Sequence, residues 1–400
     1  MNITKKRVVF YAFTTYQLYT CLYYAVNVRW NPSLKKHLYF YHGLQCQIEL
    51  DSWKPYFDTI HIVRDHPDNL YGRIRHLVLR ILSGRYLYPL SGMGRAFLHE
   101  WKDNTLFICF SDQDDYTFST IRTLKRHKNN TICMVEEGEG TYATSNLLSH
   151  SPDWSTTLKR FMRSFIGTKN LDYIGQSGEA DVWIVRQPDR WPPQKKFHAR
   201  IIRQSNIFAN IQTVFDIAIL HENLRASAGK KIIWIGAPVY VHGISEKEEI
   251  AWISQIARKI ENDYHIYIRK HPRELDQKYS SLYNLCNVSA LDIGKWNWIP
   301  IEILVKMVAP EAIITVASSA AFHIYDMGLP CKIIYTYRHF HNNTLDMDFL
   351  DEYASFPNVY CIDSTEELEH VLNEKSLDER TVQTPSELAP DLDYMASLQN

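Results

Sequence analysis

Residues 8–28 read VVFYAFTTYQLYTCLYYAVNV, follow the basic run Lys5-Lys6-Arg7 and carry no charge. A single helix over that stretch would be long enough to cross a bilayer. Thr14, Thr15, Gln17, Thr20 and Asn27 argue against it, because each would take a polar group into hydrocarbon. Divided at Phe13, the stretch gives a buried strand from Val8 to Phe13 and a helix from Tyr16 onward. It ends in no small-residue cleavage site of the secretory kind. The chain therefore opens as strand, turn and helix, the unit from which layered α/β folds are built.

The same unit recurs. Strand-like runs at His37–Tyr41, Thr59–Val63, Thr105–Phe110, Thr131–Glu136 and Asp181–Val185 alternate with helical periodicity at Asp68–Leu82 and Tyr116–His127. The Pro-rich, charged segment Gln187–Lys196 interrupts the series, and a helical pattern spans Ile207–His221. A second series follows, with strands at Lys231–Ile235, His265–Arg269, Asn287–Ala290, Ala312–Val316, Lys332–Tyr337 and Asn358–Ile362. Its helices fall at Lys247–Ile260, Pro300–Met307, Ala320–Met327 and Glu366–Asn373. Such alternation predicts parallel sheets covered by helices on both faces. The expected fold class is α/β and GT-B-like: two facing Rossmann-type parallel-sheet domains with a cleft between them, ligands lying beyond the carboxyl ends of the strands. The expected boundaries are 1–195 for an N-terminal, acceptor-side domain, 196–230 for a linker and connecting helix, 231–375 for a C-terminal, nucleotide-binding domain and 376–400 for a polar tail.

Composition narrows the function. With 44 Lys and Arg against 45 Asp and Glu, the 400 residues carry a formal charge of -1, which provides no positive field for holding a nucleic acid. Hydrophobic residues at 45% and charged residues at 22% exclude collagen-like, disordered and multi-span membrane classes and fit a soluble, folded protein. Seven scattered cysteines with no CxxC pair indicate neither a disulfide framework nor a zinc site, and fit a reducing compartment. The 25 Tyr, 17 Phe and 10 Trp are enough to line a carbohydrate cleft as well as a core.

Several strand ends carry candidate chemistry. Val135-Glu136-Glu137-Gly138 places two carboxylates and a turn-permitting glycine after an apolar strand, suited to a general base and equally to a charged turn. Ile266–Pro272 (IYIRKHP) delivers Lys270 and His271 to a strand end, where Pro272 restricts His271 to an extended backbone. That imidazole can donate to a departing phosphate oxygen or serve structurally. Ile313–Ala320 (IITVASSA) runs into Ser318 and Ser319, which cap a helix and can hold an anion at its N-terminus. Glu302, two residues after Pro300 at a helix start, suits the ribose hydroxyls of a nucleotide or simply the helix dipole. Gly236 closes the first strand of the second series, ahead of Glu246, Glu248 and Glu249. A rival feature is Asp112-Gln113-Asp114-Asp115 after Phe107–Phe110, which could hold a divalent cation or cap a helix.

The order of an acidic pair with glycine, then His-Pro, then Ser-Ser resembles the bacterial sialyltransferases. It is most similar to glycosyltransferase family 52, which includes lipooligosaccharide and capsule sialyltransferases. Phe13-Thr14-Thr15-Tyr16-Gln17-Leu18 looks like that family's Thr-Pro-x-Gln start, with Thr15 where proline is usual. The resemblance implies metal-independent, inverting transfer of sialic acid from CMP-sialic acid to a galactose-type hydroxyl of a bacterial surface glycan. It implies Glu137 or Glu136 as base, with Glu137 favoured, or in some members an acid among Glu246, Glu248 and Glu249. His271 beside Pro272 would assist departure of CMP, Ser318 and Ser319 would bind its phosphate, Glu302 its ribose, and Lys270 and Gly236 would line the donor site. No cofactor is implied beyond the donor. The implied partners are the nucleotide-sugar and the glycan, with no nucleic acid and with room for a homodimer. Location would be cytoplasmic, with peripheral contact at the inner membrane face through a basic segment such as Lys159–Arg163. The alternatives are a GT-B transferase using a CMP- or CDP-linked Kdo or polyol-phosphate donor, and a non-catalytic glycan-binding relative.

Overall fold

Two parallel sheets organise the chain in the computed structural model, which describes residues 5–41, 53–63, 103–112, 115–138, 141, 174–192, 195, 198–205, 207, 229–239, 243–271, 274–275, 277–294, 297, 299–340, 354–374 and 390–399. The helical patterns expected at Asp68–Leu82 and beyond Ile207, the basic segment Lys159–Arg163, and Pro272 lie outside the described residues.

The chain forms two compact units, one of Met1–Ile207 with Glu387–Asn400 and one of Phe208–Ser386. Unit 1 contains β1 (Arg7–Ala12), α1 (Thr15–Asn27), β2 (Lys35–Tyr41), β3 (Thr59–Val63), β4 (Thr105–Cys109), α2 (Asp115–Lys125), β5 (Thr131–Val135), β6 (Val182–Val185) and β7 (Arg200–Arg203). Its sheet runs β3-β2-β1-β4-β5-β6-β7, with every neighbouring pair parallel. Unit 2 contains β8 (Lys230–Ile235), α3 (Glu246–Lys259), β9 (Tyr264–Arg269), β10 (Val288–Ala290), α4 (Ile301–Val308), β11 (Ala312–Thr315), α5 (Ser319–Asp326), β12 (Lys332–Tyr335), β13 (Val359–Cys361) and α6 (Thr365–Asn373). Its sheet runs β10-β9-β8-β11-β12-β13, again all parallel. Each unit thus has the doubly wound strand order of a Rossmann fold, with the switch point between β1 and β4 in one and between β8 and β11 in the other.

The opening stretch is strand, turn and helix. β1 is almost wholly buried, α1 is 13 residues long, and Thr14 caps it by accepting the Gln17 N–H. The interrupting polar groups are satisfied locally: Thr20 Oγ1 donates to Tyr16 O at 2.9 Å and Asn27 Nδ2 to Tyr23 O at 2.9 Å. The stretch looks like an anchor because α1 is buried from Gln17 through Ala25, as suits a helix covered on nearly every side by protein. Among the described residues no helix is long and apolar enough to cross a membrane.

β7 lies beyond residue 195 and was not foreseen. Arg200-Ile-Ile-Arg203 is a four-residue edge strand with charged, exposed ends, so it shows neither a long apolar run nor alternation. The expected polar tail also contributes structure: α7 (Pro390–Ser397) belongs to unit 1. Its Asp391 is fully buried, and Oδ2 accepts from Tyr24 Oη at 2.9 Å and from Ser205 Oγ at 3.1 Å. Gln399 closes the same seam, donating from Nε2 to Arg29 O at 2.8 Å and accepting the Lys5 N–H on its carbonyl at 2.9 Å. Asp391→Ala leaves the buried Tyr24 hydroxyl without its acceptor, so unfolding free energy should fall by about 1–3 kcal/mol. Burial raises the Asp391 carboxyl, so the stability it supplies is full at low pH and declines as pH rises through the raised value. Denaturant unfolding of wild type and D391A should therefore differ more at the acid end of the stable range than at pH 8.

Candidate active site

The central strands of these sheets are buried on both faces, so polar side chains gather where strands end. In unit 1 the acidic pair follows β5, and the structure separates its members. Glu136 is 0% exposed and is held by Arg186, whose main-chain N–H donates to Oε2 at 2.7 Å and whose Nε donates to Oε1 at 2.6 Å. An Arg186 Nη2 ion pair to Oε1 completes the grip. Since Arg186 follows β6, this pair ties two neighbouring strand ends together.

Glu137 is half-buried and accepts from Gln17 Nε2 at 2.7 Å. Gln17 is itself fixed, because its Oε1 accepts the Phe13 N–H at 2.7 Å and its own N–H donates to Thr14 Oγ1 at 3.2 Å. The Glu137 main-chain N–H donates to Thr141 Oγ1 at 3.1 Å, and the buried Lys195 Nζ donates to Thr141 O at 2.6 Å. Burial pushes the Lys195 ammonium down to about 8, with the Asp112 charge opposing the shift. Glu136 thus has its charge committed to a guanidinium, and the amide of Gln17 orients Glu137. Gly138, at φ 152°, turns the chain directly after the pair.

The rival acidic segment contributes a structural group. Asp112 is 0% exposed, and its two oxygens accept the main-chain N–H groups of Gly175 at 2.7 Å and Ser177 at 3.0 Å. That clamps the turn before β6. Among the described residues no cluster of three or more His, Cys, Asp or Glu side chains is arranged to hold a metal ion.

In unit 2, Gly236 follows β8, Lys270 and His271 follow β9, and Ser318 follows β11. β8 and β11 are neighbours, and Thr315 Oγ1 bridges their ends by donating to Ile235 O at 2.8 Å. Thr315 Oγ1 also accepts the Ser318 N–H at 3.2 Å, which sets the start of α5 beside the switch point. Ser318 is the cap of α5, accepting the Ala320 N–H on Oγ at 3.3 Å, and Ser319 is the exposed first residue of the helix. The Ser318 hydroxyl hydrogen is left to donate to a ligand oxygen.

Glu302, in the first turn of α4, is buried, and its Oε1 lies 2.8 Å from His323 Nδ1 on α5. It can meet a ligand only through the oxygen that His323 does not hold. Arg269 fixes the approach to α4, donating to Asn297 Oδ1 at 3.1 Å and to Ile299 O at 3.2 Å. Burial lowers its guanidinium to about 10, opposed by Asp292 and Glu302. Two of the three acids at the start of α3 have structural partners: Glu248 forms a capping box with Ser245, and Glu249 is buried against Lys278 and Tyr279. The His271 N–H donates to Glu274 Oε2 at 2.8 Å.

Pattern reading missed Gln17 as the orienting partner of Glu137, along with Arg186, His323 and Glu274. Each acts across a gap in sequence or through a buried side chain, and only the Thr-x-x-Gln spacing at Thr14–Gln17 marked one of them beforehand.

Solved structures with the same fold include UDP-GlcNAc 2-epimerase from Neisseria meningitidis bound to UDP-GlcNAc, at 12% identity and TM-score 0.57, covering 98% of this chain and 99% of that one. A putative UDP-N-acetylglucosamine 2-epimerase from Listeria monocytogenes shares 11% identity at TM-score 0.56 over 97% and 92% of the two chains. The wall teichoic acid polymerase TagF, in a variant soaked with CDPG, shares 13% identity at TM-score 0.52 over 98% and 88%. These likenesses establish the GT-B-like pair of Rossmann units and nothing finer. No curated protein matches the sequence. A family model described as alpha-2,8-polysialyltransferase (POLYST) matches residues 95–327, more than half of the chain, and spans the acidic pair, the His271 strand end and the Ser318 cap. On that match the chain belongs to the alpha-2,8-polysialyltransferase family.

Proposed function

We propose that this protein is an inverting sialyltransferase that moves sialic acid from CMP-sialic acid to a hydroxyl of a bacterial surface glycan without a metal ion. The observation that carries this reading is the polysialyltransferase match, which spans the acidic pair, the His271 strand end and the Ser318 cap. Glu137, oriented by Gln17, takes the proton of the acceptor hydroxyl. The acceptor oxygen attacks the anomeric carbon, the bond from that carbon to phosphate breaks, and its electron pair leaves on CMP. That carbon is tertiary and bears a carboxylate, so the transition state resembles an oxocarbenium ion and chiefly needs its leaving phosphate stabilised. His271 donates to that phosphate, with Lys270 beside it. Ser318 and Ser319 offer hydroxyls and the N-terminus of α5, and Gly236 lies at the β8 side of the same switch point. Glu302 holds the ribose, oriented by His323. A monophosphate leaving group carries less charge than a diphosphate, so these donors suffice, and Asp112 is already engaged by two main-chain N–H groups.

The acceptor expected from sequence is a galactose-type hydroxyl on lipooligosaccharide or capsule. The family's description favours a second acceptor, a sialic acid already ending the glycan. Product masses from galactose-terminated and sialic-acid-terminated acceptors distinguish single transfer from polymer growth. The CMP-sugar and a lipid-linked acceptor would meet at the cytoplasmic face of the inner membrane.

Four outcomes are expected. His271→Ala lowers kcat about 10²–10⁴-fold with the thermal midpoint kept, and undiminished turnover would sink the leaving-group role. Glu137→Gln removes transfer by a similar factor while CMP binding, read by calorimetry, survives. Glu136→Gln instead lowers unfolding free energy by about 3–5 kcal/mol in denaturant, because Arg186 loses its buried anion. Equal behaviour of the two glutamine variants in both assays would overturn the division of roles. EDTA leaves turnover unchanged; abolition that is restored by a divalent cation would revive a metal role for the Asp112–Asp115 segment.

A further inference from the structure

Where β9 ends, the main chain must leave the sheet with its polar groups satisfied, and Pro272 comes next. A side chain performs this task. Glu274 Oε2 accepts the His271 N–H at 2.8 Å, and the Glu274 N–H donates back to His271 O at 3.0 Å. Other groups converge on the same carboxylate. Tyr279 Oη lies 3.0 Å from Oε1 and 3.1 Å from Oε2, and Lys278 Nζ bridges Glu274 Oε1 and Glu249 Oε2. A Cβ at position 236 would crowd Glu274 Oε2 and stand 2.8 Å from Tyr279 Oη, so any side chain there would displace the carboxylate or the hydroxyl.

The side chains of Glu249, Glu274 and Lys278 are each 1% exposed or less. Burying an ion costs several kcal/mol, a penalty that an apolar set of side chains would avoid. Burial pushes the Glu249 carboxyl up to about 7 against the attraction of Lys278. A charged cluster placed under one main-chain N–H is accounted for by what that N–H carries.

We propose that Glu274 is a positioning residue for His271: its carboxylate fixes the main chain at the strand end and so aims the imidazole, while Lys278, Glu249, Tyr279 and Gly236 hold the carboxylate in place. This rests on the leaving-group role proposed for His271.

Glu274→Gln tests it without changing side-chain volume. Its amide oxygen can face either the His271 N–H or Lys278, and its NH2 then confronts the other donor. Steady-state kinetics with CMP-sialic acid should show kcat reduced about 10–100-fold with donor KM within about threefold, the signature of a misaimed group. In the same folded protein, deuterium exchange of the peptide 266–272 should accelerate while exchange elsewhere in unit 2 is unchanged. Full kcat in folded E274Q overturns the proposal, and so does unchanged exchange at 266–272. Should E274Q not fold, E274D retains the anion for Lys278 and withdraws the acceptor from His271. The same losses are then expected, and wild-type kcat overturns the proposal. A wild-type protein that transfers no sialic acid refutes the proposed function instead, and the exchange comparison still decides the positioning role.

Discussion

Strands β4, β5, β11 and β12 are buried along nearly their whole length. A parallel sheet covered on both faces has no place in its middle for a side chain that needs water or substrate. Polar groups are therefore confined to the points where strands leave the sheet. The residue that opens β12 is instructive: Lys332 is buried, and its Nζ reaches the last carbonyls of α6, at 2.8 Å from Val371 O and 3.1 Å from Leu372 O. Even there the charge is spent on a helix C-terminus, where the dipole favours a cation. The candidate residues Glu137, His271 and Ser318 all follow strand carboxyl ends, and the doubly wound order brings β8 and β11 side by side there.

Exposure at a strand end is not enough, because a group that turns over substrate must also be aimed. At three candidate positions the structure places a buried polar partner. Gln17 aims Glu137, His323 holds Glu302, and Glu274 holds the main chain at His271. Arg186 does something different for Glu136: it cancels the charge outright and ties β5 to β6. Two adjacent glutamates with the same intrinsic chemistry thus diverge entirely through their neighbours. The partners come from other segments, so the geometry of each site depends on the sheet being correctly wound. Fold stability and site precision are therefore coupled at these positions.

Much of this was legible in the residues and some was not. Apolar runs of four to six residues bounded by Gly, Pro, Asn or Asp mark parallel strands plainly, and the boundaries of β3 at Thr59–Val63 follow the pattern residue for residue. α3 and α6 declare themselves by Ser caps followed by acids, at Ser245 and Ser364. β7 and α7 were illegible for opposite reasons: one is too short and too charged for a strand pattern, the other is anchored by the buried Asp391 rather than by an apolar stripe. At the site, residue types at strand ends could be read directly. Their relation to Arg186, His323 and Glu274 could not, because a buried ion pair or hydrogen bond across strands leaves no periodic mark.

The two UDP-GlcNAc 2-epimerases and TagF share this fold over nearly the whole chain at 11–13% identity, and nothing in their common topology selects a reaction. Selection must then reside in what each chain places at its strand ends and in how firmly it is held there. In this chain the glycine at 236 is informative on that point. A Cβ there would crowd the Glu274 carboxylate and the Tyr279 hydroxyl, so the end of β8 exchanges a side chain for room for a buried anion under β9. A fold that needed only a stable sheet would have no use for that exchange. It is intelligible if the placement of His271 matters more than an additional contact from position 236, which ties the energetics of the buried cluster to the chemistry at the strand end.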